Sequence, residues 1–498
     1  MITCLTEGET WMDESPNVPV SDHFAQNIDY LQQELRVEES FDVIHHKLEY
    51  AGRKFGLFFI DGFAKDDMML HIMRRFSQLA PSDIRKDTIE TLVRTFIPYI
   101  EVETTEDLEE VIKQVLSGQA AFIVEGCGQA ILVDVRTYPS RSPEEPDIER
   151  VVRGPRDGFV ETLIFNTALI RRRVRDRSLT MKYLQVGQRS KTDVVLSYIE
   201  NIADPELVQR LEEKIKSISV DGLSMGEKTL EEFIFGRNMN PYPMVRYTER
   251  GDTCGVHLME GHVLIIVDGS PSVMICPSTF WHHVQHAEEY RQKPVVGAFL
   301  RWVRFAAIFA SLFVLPIWYI LATNPGYLPE RWQFIGANDV GQLSLFWQFL
   351  LAEIGVEVLR MAAIHTPNAL ATALGLVAAI LIGETAVEVG LFTSEVILYL
   401  AIAVIGNYAT PSYELGLANR IFRIIFLIAA GLFGVYGLLL AFAFWFILLA
   451  STKTLNTPYL WPLIPFNARA MYEVLVRSPI PLQNKRPSVL NTKDASRP

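Results

Sequence analysis

Past Arg304 the chain repeatedly runs for more than a dozen residues without a charge, and no other feature limits its fold so strongly. A bilayer's hydrocarbon core is about 30 Å thick and takes roughly 20 helical residues to cross. Four apolar runs approach or exceed that need: 305–322, 367–383, 395–408 and 424–451. Pro316 in the first is compatible with a spanning helix, because neighbouring helices can satisfy the carbonyl it frees. The last run is either one tilted helix or a tight helical hairpin broken at Gly434 and Gly437, and the sequence leaves both open. The expected fold is therefore α+β and membrane-bound: N-terminal cytoplasmic α/β modules followed by an all-α, multi-span transmembrane domain. Orientation follows from basic residues, which favour the cytoplasmic side. Arg301 and Arg304 precede the first run, and Arg469, Arg477, Lys485 and Arg486 follow the last, so both ends are expected inside and the number of crossings even.

Charge inside this apolar half is where function is to be sought. A charged side chain at the centre of a spanning helix costs about 2.5–3.5 kcal/mol on insertion scales, so it must be paired or wetted. Segment 341–363 is helical in period but carries Glu353, Glu357 and Arg360 on one face. It reads either as an interfacial amphipathic helix or as a span whose charged face is buried or lines water. Glu384 and Glu388 lie beside the middle runs, either near a water path or in loops at headgroup level. The basic partners in reach are few: Arg360, and Arg420 and Arg423 at the edge of the last run. An acidic excess along a water path concentrates cations and repels anions. Glu353, Glu357, Arg360, Glu384 and Glu388 are accordingly the candidate pore or selectivity residues.

The N-terminal half holds most of the charge. A net charge of −12 argues against nucleic acid as a partner. Four cysteines without regular spacing fit a reducing compartment, and the acidic start has no apolar signal segment. Residues 1–27 are expected to be disordered, 28–139 to form one α/β subdomain, 140–150 a Pro-rich linker, 151–300 a second subdomain, 301–455 the membrane domain and 456–498 a cytoplasmic tail. LEYAGRKFGLFFIDGF predicts a strand hairpin, DDMMLHIMRRFSQL a helix, 105–116 another helix, and AAFIVEGCGQAILVDV two strands. In the second subdomain 158–177 predicts an amphipathic helix and 191–217 a helix broken near Asp204-Pro205. GVHLMEGHVLIIVDGSPSVMICP predicts three short strands. The run RRRVRDR could meet phosphate or lipid headgroups, but a solvated or subunit-contacting helix face is the plainer reading. His282 and His286, four apart, could both reach one metal; beyond Glu289 no third ligand is evident at fixed spacing. A coupling helix leading into the membrane, with His282, His286, Glu289, Arg301 and Arg304, is the preferred reading. No cofactor motif and no nucleophile–base constellation is present, which points away from an enzyme.

Five segments carry a resemblance to a known family: GPRDGFVETLIFNTALIRRRVRDRSL, MKYLQVGQRSKTDVVLSYI, MVRYTERGD, VVGAFLRWVRF and LNTPYLWPLIPFN. With them the chain, from about residue 28 onward, resembles the A subunits of bacterial spore germinant receptors, the GerA family. HHVQHAEEYRQ and ATPSYELGLANR resemble a sporulation branch of that family rather than its nutrient-receptor subunits. The resemblance implies a protein of the spore inner membrane that works among other germination membrane proteins. It implies a subunit of a homo-oligomeric channel that lets monovalent cations leave the core and so amplifies germination. Two other readings remain: an A subunit of a nutrient receptor, and a secondary transporter, for which no internal repeat is visible.

Overall fold

The computed structural model describes residues 17–85, 87–97, 99, 101–136, 149–236, 239–337, 341–364 and 384–497. Most of the expected linker, the apolar run 367–383 and residues 1–16 of the N-terminus lie outside the described residues.

The soluble half is built on two strand hairpins. Val43–Tyr50 (β1) pairs antiparallel with Arg53–Ile60 (β2) across Ala51-Gly52, both at positive φ, the geometry that matches strand twist in a two-residue turn. The second hairpin joins Leu179–Val186 (β6) to Thr192–Ile199 (β7). It overturns the helix expected from residue 191. The stretch TDVVLSYI is rich in β-branched and aromatic residues, and eight-residue pairing with β6 outweighs its helix-compatible spacing.

Each hairpin grows into a five-stranded sheet. Val102–Thr105 (β3), Ala120–Val124 (β4) and Ala130–Val133 (β5) complete the first, in the order β1-β2-β4-β5-β3. Arg246–Thr248 (β8), Val263–Val267 (β9) and Val273–Cys276 (β10) complete the second, in the order β6-β7-β9-β10-β8. The orders are the same and all neighbours are antiparallel, so the soluble half contains one topology twice. The central strands β4 and β9 are buried along their whole length, as strands covered on both faces must be.

Helices supply the covers. Phe24–Glu34 (α1) and Leu108–Leu116 (α3) cover one face of the first sheet, and Asp66–Phe76 (α2) the other. Leu163–Arg173 (α4) and Gly251–Glu260 (α7) cover one face of the second sheet, with Pro205–Lys216 (α5) and Glu227–Phe235 (α6) opposite. Residues 255–259, expected as the first of three strands, belong to α7 instead; it begins at Gly251 and ends at Gly261, whose φ of 103° suits a helix C-terminus. Expected as amphipathic, α4 is mostly buried because it also meets the first module. Ala168 joins the first module's core, and Ile164 and Ala168 sit against Gly62.

The helical half starts with Ala287–Arg291 (α8) and the 30-residue Pro294–Thr323 (α9), which leads away from the sheets. Leu345–Ile364 (α10) returns: Phe349 meets Trp318 near the far end of α9, while Arg360 meets Tyr413 near the soluble half. Ser394–Tyr408 (α11) also returns, stacking Tyr399 on Trp318 and bringing Gly406 against Ala307 and Ser311. Tyr413–Ser451 (α12) is a hairpin. At Gly434 φ is 61° and ψ −142°, a conformation open only to glycine. Gly437 then packs on the carbonyl of Ala429, and Phe422 meets Phe444. Of the described helices, α9 and α12 are long and apolar enough to cross a membrane. Ala468–Leu475 (α13) and the segment after it fold back on the soluble half, where the Lys493 amide donates to the Ile202 carbonyl at 3.0 Å. The C-terminus is thus a packed element rather than a free tail.

Candidate functional site

Chemistry collects where the second sheet hands over to α9. Strand β10 runs into a 3-10 turn at Phe280–His283, then α8, then α9. Glu289 on α8 is fully buried, accepts from Arg301 Nε at 2.7 Å and forms an ion pair with Arg304. Arg301 also donates to the carbonyls of Glu473 and Val474, at 2.9 and 2.7 Å. Arg477 donates to the carbonyls of Tyr290 and Gln292, and its guanidinium lies over the Tyr290 ring. Three expected coupling residues therefore meet as one buried knot, tied to the C-terminal segment. Gly297 allows the approach, since a Cβ there would collide with the Glu289 carbonyl.

His282 and His286 do not share a face. The 3-10 turn and α8 are separate, and His286 caps α8 by accepting from the Glu288 amide at 3.2 Å. His282 turns instead towards His257 on α7 and His262 before β9. The ligand atoms of these three lie within 4.8 Å of one another. Burial holds the His257 and His282 imidazoles well below the ordinary histidine range and brings His262 down to about 4. Beside them, Arg246 pairs with Glu149 at 3.2 Å.

A second charged centre lies within the helical layer. Glu353 and Arg423 are each 1% exposed and pair at 2.6 Å, with Arg423 also donating to the Ser311 carbonyl at 2.9 Å. One turn nearer the soluble half, Glu357 accepts from both Arg360 and Arg420. The two acids named from the sequence as candidate pore groups each meet an arginine of α12. The charged face of α10 turns towards that helix, with Glu353 buried and Glu357 half-buried. Glu384 and Glu388 are exposed at the opposite, far end, in an open cleft with Val387, Ser394 and Ile397. Neither has an ion-pair partner among the described residues.

A family profile described as Bacillus/Clostridium GerA spore germination protein matches residues 29–489. The chain belongs to the GerA family of spore germination proteins. It is 50% identical over 473 residues to Stage V sporulation protein AF of Bacillus subtilis (strain 168), covering 95% of this chain and 96% of that one. It is 29% identical to spore germination protein GerLA of Bacillus cereus, over 88% and 89% of the two chains. It is 27% identical to a B. subtilis protein named only as uncharacterized membrane protein YfkQ, over 96% and 93%. A solved structure, the N-terminal domain of the A subunit of the Bacillus megaterium spore germinant receptor GerK3, is similar at 20% identity. Its TM-score is 0.42, over 53% of this chain and 98% of that one.

In this GerA-family chain the RRRVRDR run proves to be an internal staple. Arg171, 1% exposed, donates to Asp42 at 2.8 Å and to the Ser40 hydroxyl at 3.1 Å, across the seam between modules. Arg173 pairs with Asp157, and Arg177 with Glu34 and Glu109. His257 and His262 escaped the sequence reading because they flank the Glu260-Gly261 turn, outside any regular helical spacing from His282. The available signal was the pair of histidines in HLMEGH.

Proposed function

We propose that this germination protein is one subunit of a homo-oligomeric cation channel in the spore inner membrane, with its soluble half and C-terminal segment on the same, inner side. The contrast between two sets of carboxylates carries the reading. Glu353 and Glu357 face arginines in the interior, whereas Glu384 and Glu388 stand exposed at the far end of the helical layer. In a ring of identical subunits both would repeat around an axis, and rings of carboxylates favour cations. Among the described helices α9 runs outward, α10 and α11 run back inward, and the α12 hairpin goes outward and returns to the side of the soluble half. Apolar side chains exposed on these helices, among them Phe299, Phe309, Phe433, Leu440 and Ile447, suit lipid or a second copy. Selectivity is accordingly assigned to Glu384 and Glu388, while Glu353, Glu357 and Arg360 hold helices together. The purified oligomer in a planar bilayer should conduct monovalent cations in preference to anions. Glu384→Gln with Glu388→Gln should move the reversal potential in a salt gradient towards that of a non-selective pore, with assembly mass unchanged. An unchanged reversal potential removes the assignment of these acids; no conductance from an intact oligomer removes the channel.

A further inference from the structure

The histidine cluster at the junction has no part in conduction as described, and its geometry asks for a ligand. We infer that His257, His262 and His282 bind one divalent transition-metal ion, zinc being the best match. The ion would fasten α7 and the entry to β9 to the turn that leads into the first long apolar helix.

Ring placement is the first argument. A nitrogen bound to zinc sits about 2.0–2.1 Å from the metal. Adding the distance from that nitrogen to its ring centre, three tetrahedral imidazoles have ring centroids about 5 Å apart. The observed separations are 5.0 Å for His257–His262, 5.1 Å for His262–His282 and 5.9 Å for His257–His282. Two pairs already have the spacing; the His257–His282 pair has to close for the three nitrogens, now within 4.8 Å of one another, to reach one ion.

The second argument is unmet hydrogen bonding. His262 is 0% exposed, and among the described residues neither ring nitrogen makes a well-formed hydrogen bond, only looser approaches to the backbone at Cys276 and Pro277. A buried polar group without a good partner is destabilising, and a metal at one nitrogen would relieve that nitrogen's share of the cost. His257 is oriented as ligating histidines are. Its Nδ1 lies 2.8 Å from the Thr253 carbonyl, which fixes the proton there and leaves Nε2 as the ligand atom.

His282 is the conditional ligand. Its Nδ1 accepts from the Thr279 amide at 2.9 Å and also lies 3.1 Å from the Thr279 hydroxyl. To ligate through Nε2 it must move its proton to Nδ1 and donate to that hydroxyl, giving up the amide. Three nitrogens without a carboxylate suit zinc-class ions rather than magnesium or calcium, and they leave a fourth position for water. The plain alternative, three uncharged imidazoles packed as core, leaves His262 unexplained.

The test uses the full-length protein in detergent, stripped with chelator and free of any histidine tag. Titrated Co²⁺ should bind once per chain with the ligand-field bands of tetrahedral nitrogen coordination, and Zn²⁺ should displace it. His257→Gln, His262→Gln or His282→Gln should each weaken binding roughly tenfold to 100-fold, the scale of damage at such sites. His286→Gln, outside the cluster, should leave binding intact. X-ray absorption on the zinc-loaded wild type counts imidazole ligands without any substitution, so a variant that fails to fold does not decide the matter. No stoichiometric binding, fewer than three imidazoles, or binding that survives all three cluster substitutions overturns the site.

Discussion

Five histidines in the soluble half and its junction are held neutral by burial, and each makes stability depend on pH. Burial lowers His45 and His262 to about 4 and His283 to about 3, and takes His257 and His282 well below 6.5. Lys47 and His46 add to the effect at His45. Arg246 adds to it at the other four, and at His257 and His282 so do neighbouring imidazoles. The folded pKa lies below the unfolded one, so the unfolded chain takes up protons first as pH falls. Stability is complete above about 6.5 and drains away towards pH 4, by up to about 1.4 kcal/mol per pH unit for each histidine. Thermal melting of the detergent-solubilised protein should show a steep fall in Tm between pH 7 and 5; a flat profile there would refute the burial of these rings.

At the scale of elements, the hairpin in α12 decides whether the last apolar run crosses once or twice. A straight helix would hold Phe422 and Phe444 about 33 Å apart at 1.5 Å per residue. Their ring centroids are 6.4 Å apart, and Tyr242 hydroxyl bridges Asn419 and Trp445. Composition could not distinguish these cases, because both legs are equally apolar and Gly434 is tolerated in either. What selects the hairpin is the positive φ at Gly434 together with the small side of Gly437. Gly434→Leu should force a strained backbone and open the hairpin, whereas a bulky residue on a continuous helix would be neutral. Cysteines replacing Phe422 and Phe444 should cross-link readily in the parent and poorly beside Gly434→Leu. Equal cross-linking in both would argue that the reversal does not depend on this glycine.

Across the whole molecule the tightest joints are buried ion pairs. Asp42–Arg171 locks one module to the other, and Glu289–Arg301 locks the soluble half to α9. Removing one member of such a pair leaves an uncompensated buried charge, which typically costs about 3–5 kcal/mol. Arg171→Ala should therefore lower the unfolding free energy by about that amount and speed proteolysis at the seam between modules. Arg171→Lys should recover only part of it, because a single ammonium cannot reproduce the forked contact with Asp42 and Ser40. A loss below about 1 kcal/mol for the alanine variant would place the pair among weak surface bridges. The duplicated topology has the same global character. No repeat is visible in the sequence, because a fold needs only matching apolar periods and turn positions, which many residue sets satisfy.

The sequence by itself determined the division into a charged half and an apolar half, several of the described helices, among them α2, α3, α5, α9, α10 and α11, most of the first module's strands, and the family. Those follow from local periodicity, run length and long distinctive segments, all carried by neighbours along the chain. It did not determine β7, where β-branched content competed with helical spacing until pairing with β6 settled it. Nor did it determine which α12 arginine meets Glu353 and which meets Glu357, since those partners lie 70 and 63 residues away. His257, His262 and His282 were brought together only by the packing of a helix, a strand entry and a turn. Only tertiary structure decides such partnerships, because charges and imidazoles act through space over a few ångströms, and chain distance says nothing about which groups folding will place there.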